Sequence, residues 1–424
     1  MDPMKDEILR GLRNLEQFLN HLPLPFGDEL RRRIAELREL LVEHRPPRLV
    51  LVGRRGAGKS TLINAIFNEP LATIGHTGRG TLQPRWYAYA SERGTMDVLD
   101  TRGIGEALHP DEPNAREAAL RGIVSECRQK PPDAILFLLK AKEIESRTDE
   151  DINDLATVCS ALLKREGFEL PIVGVANQCD ELSPPTVRLD QPDASERYKS
   201  KLRAVHIVED KLAEKIRMHP DLSGRLVTTL GVVSYVEWSG SGELVDDLRW
   251  RIDELVRHIF QELPAQARLE LARLSRAQKL QGELAARIMQ ATAGLCAAVA
   301  AIPIPIADIG PITAAQVSMV MAIGYISGRD LSAKAAGEFL VALGVNVGAG
   351  YAFREIARAL IRFAFPGGGS VVSAAIAYAA TLGLGTAASA YFIEGKSISE
   401  AKDAYGKARE RGERDYSGGD ASDN

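Results

Sequence analysis

The sequence predicts an α/β domain, built on a mostly parallel sheet with one antiparallel edge, joined to an all-α domain. Strand-length and helix-length segments alternate between residues 48 and 263, as in a parallel sheet. A glycine-rich segment separates the first strand from the first helix. Charges become rare between residues 288 and 393, where Ala, Gly, Ile and Val dominate. We therefore expect an all-α domain made from N-terminal helices and this Ala/Gly-rich C-terminal region.

The 424 residues divide into four expected segments. These are a helical hairpin over 1–46, the α/β domain over 47–263, an apolar helical domain over 264–395, and a polar, disordered tail over 396–424.

Composition restricts the class of protein. The formal net charge is −4, so no overall positive charge points to a nucleic-acid partner. The four cysteines are far apart and fit neither a metal site nor a disulfide framework, which favours the reducing cytosol. The N-terminal residues MDPMKDEILRG are charged and lack the apolar core of a signal peptide. The expected location is the cytoplasm.

The N-terminal segment predicts two amphipathic helices. Apolar residues at helical spacing form a first stripe, and a second stripe follows an interruption by Pro23 and Pro25. Pro46 and Pro47 end the second helix just before the first strand. A hairpin packed on its own protein is the favoured interpretation, and a docking surface is the alternative.

A phosphate-binding loop is predicted within the segment 49–62, LVLVGRRGAGKSTL. An apolar strand precedes the pattern G-x-x-x-x-G-K-S/T and a helical pattern follows it, which is the context that the motif requires. Glycines allow a tight turn whose backbone N–H groups face phosphate oxygens, and the helix N-terminus adds positive charge. The candidate phosphate-binding residues are Gly53, Gly56, Gly58, Lys59, Ser60 and Thr61.

The rest of the α/β domain follows in order. Candidate strands are 48–52, 85–90, 96–100, 134–139, 172–176 and 227–234. Candidate helices are 59–67, 115–128, 149–164, 197–217 and 244–260. A hairpin-length turn at 91–95 joins the second and third strands, so one edge of the sheet is antiparallel. The polar, Pro-rich segment 181–201 predicts a solvent loop without chemistry.

Two further motifs follow strands of this sheet, where ligands of parallel sheets bind. Asp100 and Gly103 form a D-x-x-G motif, in which the carboxylate can hold Mg²⁺ and the glycine N–H can sense a phosphate. Asn177 to Asp180, NQCD, resembles the N-K-x-D motif, whose aspartate accepts hydrogen bonds from the N1–H and exocyclic amine of guanine.

These motifs and their order resemble the translation-factor-related GTPases, in particular the Era-like branch, over residues 48–263. The resemblance implies hydrolysis of GTP to GDP with Mg²⁺, and a homodimer through the GTPase domains as a partner. It assigns Lys59, Thr81 and Gly103 to catalysis, with Thr77 as the alternative to Thr81. It assigns Ser60, Thr81 and Asp100 to the metal. Asn177, Asp180 and Ser234 would surround the base.

Three departures from the family pattern have consequences. Ile104 stands where related enzymes place a water-orienting glutamine, so we expect slow basal hydrolysis. Gly56 replaces an asparagine that binds a catalytic K⁺ in some members, which argues against K⁺ activation. Gln178 replaces the lysine that packs along the base, which predicts weaker nucleotide affinity. Four loop arginines are either candidate arginine fingers or solvated charges: Arg54, Arg55, Arg79 and Arg102.

The C-terminal half begins with a predicted charged helix over 266–285, followed by apolar stretches at 288–307, 309–328, 339–353 and 370–393. Three of them reach the roughly 20 residues that a membrane helix needs. Their small residues also suit a tightly packed soluble bundle, so both interpretations stay open. Membrane association would place the protein at the inner face of the cell membrane.

The motif PIPIAD and the glycine-punctuated helices after it resemble the YcjF-type domain of unknown function, over about 285–393. The layout as a whole resembles the immunity-related GTPases, which implies nucleotide-driven self-assembly on membranes. The sequence thus supports two hypotheses. One is a GTP-hydrolysing switch coupled to the helical domain, and the other is a membrane-associated scaffold with little turnover. RNA binding is a weaker third, because no basic segment follows the GTPase region.

Overall fold

The computed structural model describes residues 44–71, 84–101, 115–145, 148–275, 277–300, 310–329 and 374–419, with isolated residues between 13 and 38 and at 339 and 343. Contacts divide the chain into two units. One is Arg45–Ser275, and the other combines the residues before 45 with those after 275. The predicted N-terminal hairpin and the apolar stretch 339–353 lie almost wholly outside the described residues.

The first unit is organised around a six-stranded sheet, which confirms the predicted fold class. Its strands are β1 (Arg48–Val52), β2 (Arg85–Ser91), β3 (Gly94–Asp100), β4 (Ala134–Lys140), β5 (Ile172–Asn177) and β6 (Leu226–Gly231). The spatial order is β2-β3-β1-β4-β5-β6. All neighbours are parallel except β2 and β3, which form the predicted antiparallel edge.

Helices cover this sheet. They are α1 (Lys59–Phe67), α2 (Ala115–Gln129), α3 (Thr148–Glu166), α4 (Glu196–Met218), α5 (Ile252–Glu262) and α6 (Ala265–Leu274). Strand β4 is buried over six of its seven residues and β5 over all six, because a parallel sheet has helices on both faces. Their continuous apolar sequences, AILFLLK and IVGVAN, follow from that double burial.

The predicted helix 244–260 is wrong in its first half. A two-stranded antiparallel ribbon, β7 (Val236–Trp238) and β8 (Leu244–Asp247), precedes α5. The ribbon turns at Gly242, whose φ of 82° is in the left-handed region that glycine favours. The turn is closed by Ser239 N–H donating to Glu243 O at 2.8 Å. Leu244 and Val245 mimic a helical pattern, but they lie exposed on this ribbon.

The predicted continuous helix 266–285 is also wrong. Helix α6 ends at Leu274, and α7 (Gln278–Ala300) begins a new helix in the other unit. Helix α6 packs against β3, and Arg45 N–H donates to Gln266 O at 2.9 Å. The division between the two units therefore falls after Ser275 instead of at the expected position after 263.

The second unit contains four described helices: α7, α8 (Gly310–Ile326), α9 (Ala374–Phe392) and α10 (Ile398–Gly419). Helix α9 contacts the other three. Small residues allow α9 to pack closely against these neighbouring helices. A Cβ atom at Gly385 would overlap with Met289, and a Cβ atom at Gly383 would lie 2.9 Å from Cδ2 of Tyr405 in α10.

Helix α10 corrects the expected disordered tail, because 398–419 is helical. Its start is capped reciprocally: Glu400 N–H donates to Ser397 Oγ at 3.3 Å, and Ser397 N–H donates to Glu400 Oε2 at 2.8 Å. Ala401 is fully buried, so one stripe of this charged helix packs on α9. The S-x-x-E signature at 397–400 was available in the sequence, but the charged composition obscured it.

Among the described residues, α9 is the helix that is long and apolar enough to cross a membrane, with 19 residues and a mean hydropathy of 1.2. In the structure, 67% of its most apolar window is buried by protein. A core helix of a soluble bundle has the same length and composition, so α9 is weak support for insertion.

We predict opposite effects for the same substitution at two helical glycines. Gly383→Ala places a Cβ 3.0 Å from the Tyr405 carbonyl oxygen and should lower the free energy of unfolding by about 1–2 kcal/mol. Gly406→Ala has nothing within 4 Å and should raise it by about 0.5–1 kcal/mol through helix propensity. Urea unfolding monitored by circular dichroism compares the two. Stabilisation by both variants would contradict the close approach of α9 and α10.

Candidate functional site

The loop between β1 and α1 has a conformation that needs glycine at three positions. Gly56 and Gly58 have left-handed φ angles of 82° and 89°, and Gly58 is the N-cap residue of α1. A Cβ atom at Gly53 would overlap with the carbonyl oxygen of Leu138 in β4. The loop therefore runs close to the sheet and presents the first N–H groups of α1, a site suited to a phosphate.

Lys59 bridges this loop from its C-terminal end. Its Nζ donates to Gly53 O at 2.6 Å and to Arg54 O at 3.1 Å. The ammonium thus lies across the loop. With a phosphate bound there, Lys59 would exchange these carbonyl contacts for contacts with charged phosphate oxygens. Ser60 and Thr61 follow within the first turn of α1.

Asn177, the last residue of β5, connects the loop to the segment that follows β6. The side chain is fully buried, and its Nδ2 donates to Ala57 O at 2.9 Å. Its Oδ1 accepts from Ser234 Oγ at 3.0 Å. A Cβ atom at Gly58 would overlap with the Asn177 amide, so glycine makes room for it. The structure thus brings Asn177 and Ser234 together with the loop, and both side chains brace protein segments.

Gln178 adds a second tie between β5 and the loop. Its backbone is left-handed, with φ 63°, and its Nε2 donates to Gly56 O at 3.0 Å. This contact shows what the glutamine at the lysine position of the motif does. It holds the loop backbone at Gly56, one of the two loop glycines with a left-handed φ.

Asp180 lies in a short 3₁₀ turn, Cys179–Glu181, directly after β5. Cys179 N–H donates to Val232 O at 3.1 Å, which ties the turn to the end of β6. Burial raises the pKa of the Asp180 carboxyl, while the positive charges of Lys201 and Lys142 act in the opposite direction. Lys201 Nζ also donates to Asp180 O at 2.6 Å.

Asp100 ends β3 beside β1, where Leu51 is its register partner. The next residue, Thr101, is buried and its Oγ1 donates to Leu51 O at 2.8 Å, which fixes the end of β3. Thr101 is a structural residue that motif reading missed. The Asp100 carboxylate and the Ser60 hydroxyl are the hard oxygen ligands that Mg²⁺ prefers. Within the described residues, no group of three or more His, Cys, Asp or Glu side chains forms a metal site.

Several predicted residues lie outside the described residues: Thr77, Arg79, Thr81, Arg102, Gly103 and Ile104. Of the other candidate arginines, Arg54 forms ion pairs with Asp151 at 2.5 Å and Glu150 at 2.7 Å, and Arg55 is exposed. Burial raises the pKa of Asp151 against the opposing charge of Arg54. In this conformation the Arg54 guanidinium is paired with two carboxylates of α3.

Lys140, at the end of β4, was not singled out from the sequence. Its Nζ lies 3.4 Å from the position that a Cβ at Gly56 would take, and it pairs with Glu143 at 3.5 Å. An ammonium therefore lies next to the residue that replaces the K⁺-binding asparagine.

Comparison with known proteins agrees with this geometry. Residues 48–177 match the family described as 50S ribosome-binding GTPase, from β1 to the end of β5. The chain contains a P-loop GTPase domain. This match stops at Asn177, before Asp180, Ser234 and the helical unit.

Curated relatives match the same region. GTPase Der from Moorella thermoacetica is 33% identical over 142 residues, which are 33% of this chain and 29% of Der. The uncharacterized protein YfjP from Escherichia coli strain K12 is 29% identical over 145 residues, 34% of this chain and 45% of YfjP. This chain thus covers less than half of the length of either relative.

Among solved structures, Toc33 from Arabidopsis thaliana is 14% identical, with a TM-score of 0.34 over 57% of this chain and 93% of Toc33. A similarity of this size carries no conclusion about function.

Proposed function

We propose that this protein binds GTP, hydrolyses it to GDP with Mg²⁺, and acts as a switch whose helical unit responds to the bound nucleotide. The observation that carries the proposal is the Asn177 amide, which joins the phosphate-binding loop to the strand end that bears Asp180. That connection supports a phosphate site and a base site next to each other, as a nucleotide requires.

The base site is proposed to select guanine. An ionised Asp180 carboxylate accepts from both N1–H and the exocyclic amine, a donor pair that adenine does not present. Asn177 and Ser234 support the base site from behind. A base without these donors leaves the partly buried carboxylate unpaired, which is the physical origin of selectivity.

The phosphate site is proposed to use Gly53, Gly56, Gly58, Lys59, Ser60 and Thr61. Ser60 and Asp100 would hold Mg²⁺, with Thr81 completing the set from the first switch. When bound, the ion neutralises phosphate charge. Lys59 is expected to contact the terminal phosphates, and the Gly103 N–H to respond to the presence of the γ-phosphate. Release of these contacts on hydrolysis is the proposed switching event.

The second candidate is a scaffold that binds nucleotide with little turnover. Ile104 favours it, because its side chain has no group that orients water. A homodimer through the GTPase domains would supply the missing catalytic group and restore turnover. The two candidates differ in whether phosphate is released, and in whether the rate per molecule depends on protein concentration.

The helical unit is proposed to act at the inner face of a membrane. The length and apolar composition of α9 support this, whereas its burial by α7, α8 and α10 supports a soluble bundle.

Base selection is tested by titrating fluorescent GTP and ATP analogues, with Mg²⁺, onto the wild type and Asp180→Asn. We expect GTP to bind at least about tenfold more tightly than ATP in the wild type, and the preference to disappear in the variant, because an amide cannot accept from both donors. Asn153→Ala, an exposed change on α3, is the control. Equal affinity of the wild type for both nucleotides would refute guanine selection.

Turnover is tested by phosphate release at several protein concentrations, in KCl and in NaCl of equal ionic strength. We expect slow hydrolysis, on the order of 10⁻⁴ to 10⁻² per second, which Lys59→Ala abolishes. The rate should be the same in both salts, because Gly56 offers no ligand for K⁺ and the Lys140 ammonium lies beside it. No release at any concentration would favour the scaffold, and acceleration by K⁺ alone would contradict the reasoning about Gly56.

Membrane association is tested by flotation with anionic vesicles in the presence of GDP or a non-hydrolysable GTP analogue. We expect more protein to float with one nucleotide than with the other, because exposing the apolar face of α9 requires a rearrangement around it. Protein that stays in the aqueous fraction with both nucleotides would identify the unit as a soluble bundle.

A further inference from the structure

Lys201 is a lysine in the interior of the first unit. It lies on α4, on the same buried stripe as Tyr198 and Val205, and 0% of the residue is exposed. Fully buried lysines are rare, because removing an ammonium from water costs several kcal/mol unless partners replace the solvent. The buried ammonium of Lys201 therefore requires hydrogen-bond acceptors that replace its lost hydration.

The partners of this ammonium lie in the turn after β5. Lys201 Nζ donates to Asp180 O at 2.6 Å and to Pro184 O at 3.2 Å. Both acceptors are backbone carbonyls. The ammonium therefore clamps the two ends of the segment 180–184, and the backbone of Asp180 is held directly.

The same charge acts on the Asp180 side chain. Burial raises the pKa of that carboxyl and Glu181 raises it further, while Lys201 and Lys142 lower it. Lys142 is itself paired with Glu181 at 3.3 Å, and both are about half exposed, so water screens them. Lys201 is the buried one of these two cations, so water and salt screen its charge less.

We propose that Lys201 determines guanine specificity as a positioning residue: its buried ammonium holds the Asp180 turn through two backbone carbonyls and places a positive charge within electrostatic reach of the carboxylate that accepts two guanine donors. This inference rests on the proposed function and adds a residue to it. The hydrogen bonds of the ammonium go to the turn that carries Asp180, so Lys201 acts through Asp180.

Two lysines on the same helix give a matched comparison. Lys201→Met removes the buried charge and keeps the apolar stem. Lys199→Met removes an exposed lysine that pairs only locally with Glu196 at 2.8 Å. Each variant is titrated with three Mg²⁺-bound probes: GDP, IDP, which lacks the exocyclic amine, and inorganic pyrophosphate, which lacks the base.

We expect Lys201→Met to lose roughly tenfold or more in GDP affinity, most of the GDP preference over IDP, and none of the pyrophosphate affinity. Lys199→Met should match the wild type with all three probes. An unchanged ratio of GDP to IDP affinity in Lys201→Met would overturn the proposal. So would an equal loss for GDP and pyrophosphate, because it would mean a general structural role.

The pH dependence gives a second readout. Protonation of Asp180 removes an acceptor, so GDP affinity falls as the pH drops through the pKa of that carboxyl. Removing Lys201 raises this pKa, so the fall should begin at a higher pH in Lys201→Met than in the wild type. Superimposable profiles would contradict the proposal.

If Lys201→Met does not fold, Lys201→Gln is the second variant, since it removes the charge and keeps an N–H donor on a shorter side chain. The same change in pH profile is expected for it, and its absence would again refute the role of the charge. Failure of guanine recognition as a whole looks different, because the wild type itself would then bind GDP and IDP equally.

Discussion

The proposed nucleotide site depends on one buried side-chain amide. Asn177 donates to Ala57 O in the phosphate-binding loop and accepts from Ser234 Oγ at the other end of the site. Because a buried amide must satisfy both of its polar atoms, the loop, the end of β5 and the segment after β6 adopt their positions together. Gly58 is part of the same constraint, since only a residue without a side chain leaves room for the amide. The proposed phosphate and base sites are therefore held together as one unit.

Three positive charges around the loop have protein partners. Lys59 donates to two loop carbonyls, Arg54 pairs with Asp151 and Glu150, and Lys140 pairs with Glu143. A bound nucleotide would compete with these partners, so its affinity would reflect an exchange of contacts. Lys59 exchanges neutral carbonyls for phosphate oxygens, which is favourable because charge-assisted hydrogen bonds are stronger.

Much of the fold was predictable from local signals. Continuous apolar strands, the glycine pattern and the short turn between β2 and β3 specify the sheet and its antiparallel edge, since each reflects burial or backbone geometry within a few residues. Motif spacing made the loop residues Gly53 to Thr61, with Asp100 and Asp180, candidates for the site, because it records how strands end, and their roles stay predictions. Because these signals are local, they can be recognised from the sequence alone.

Features that depend on contacts distant in sequence were missed. Strand β8 was predicted to be part of a helix, because Leu244 and Val245 are exposed and show no strand alternation. Helix α10 looked disordered, because its stability comes from one stripe against α9 that its average composition conceals. Lys201 was missed because it falls in the segment 181–201, which was expected to be a solvent loop without chemistry. It occupies a core position of an amphipathic helix, and a charged residue there is recognised only once Asp180 O and Pro184 O are seen to receive its hydrogen bonds.

Strand β3 connects two distant parts of the first unit. At its C-terminal end is Asp100, whose register partner is Leu51 of β1. At its start is Gly94, where a Cβ atom would lie 2.9 Å from a carboxylate oxygen of Glu270 in α6. Seven residues of strand span about 23 Å. Because β3 is hydrogen-bonded on both sides, to β1 and β2, its two ends are held at a fixed separation. One continuous strand thus links the proposed magnesium ligand Asp100 to α6, the last helix of this unit.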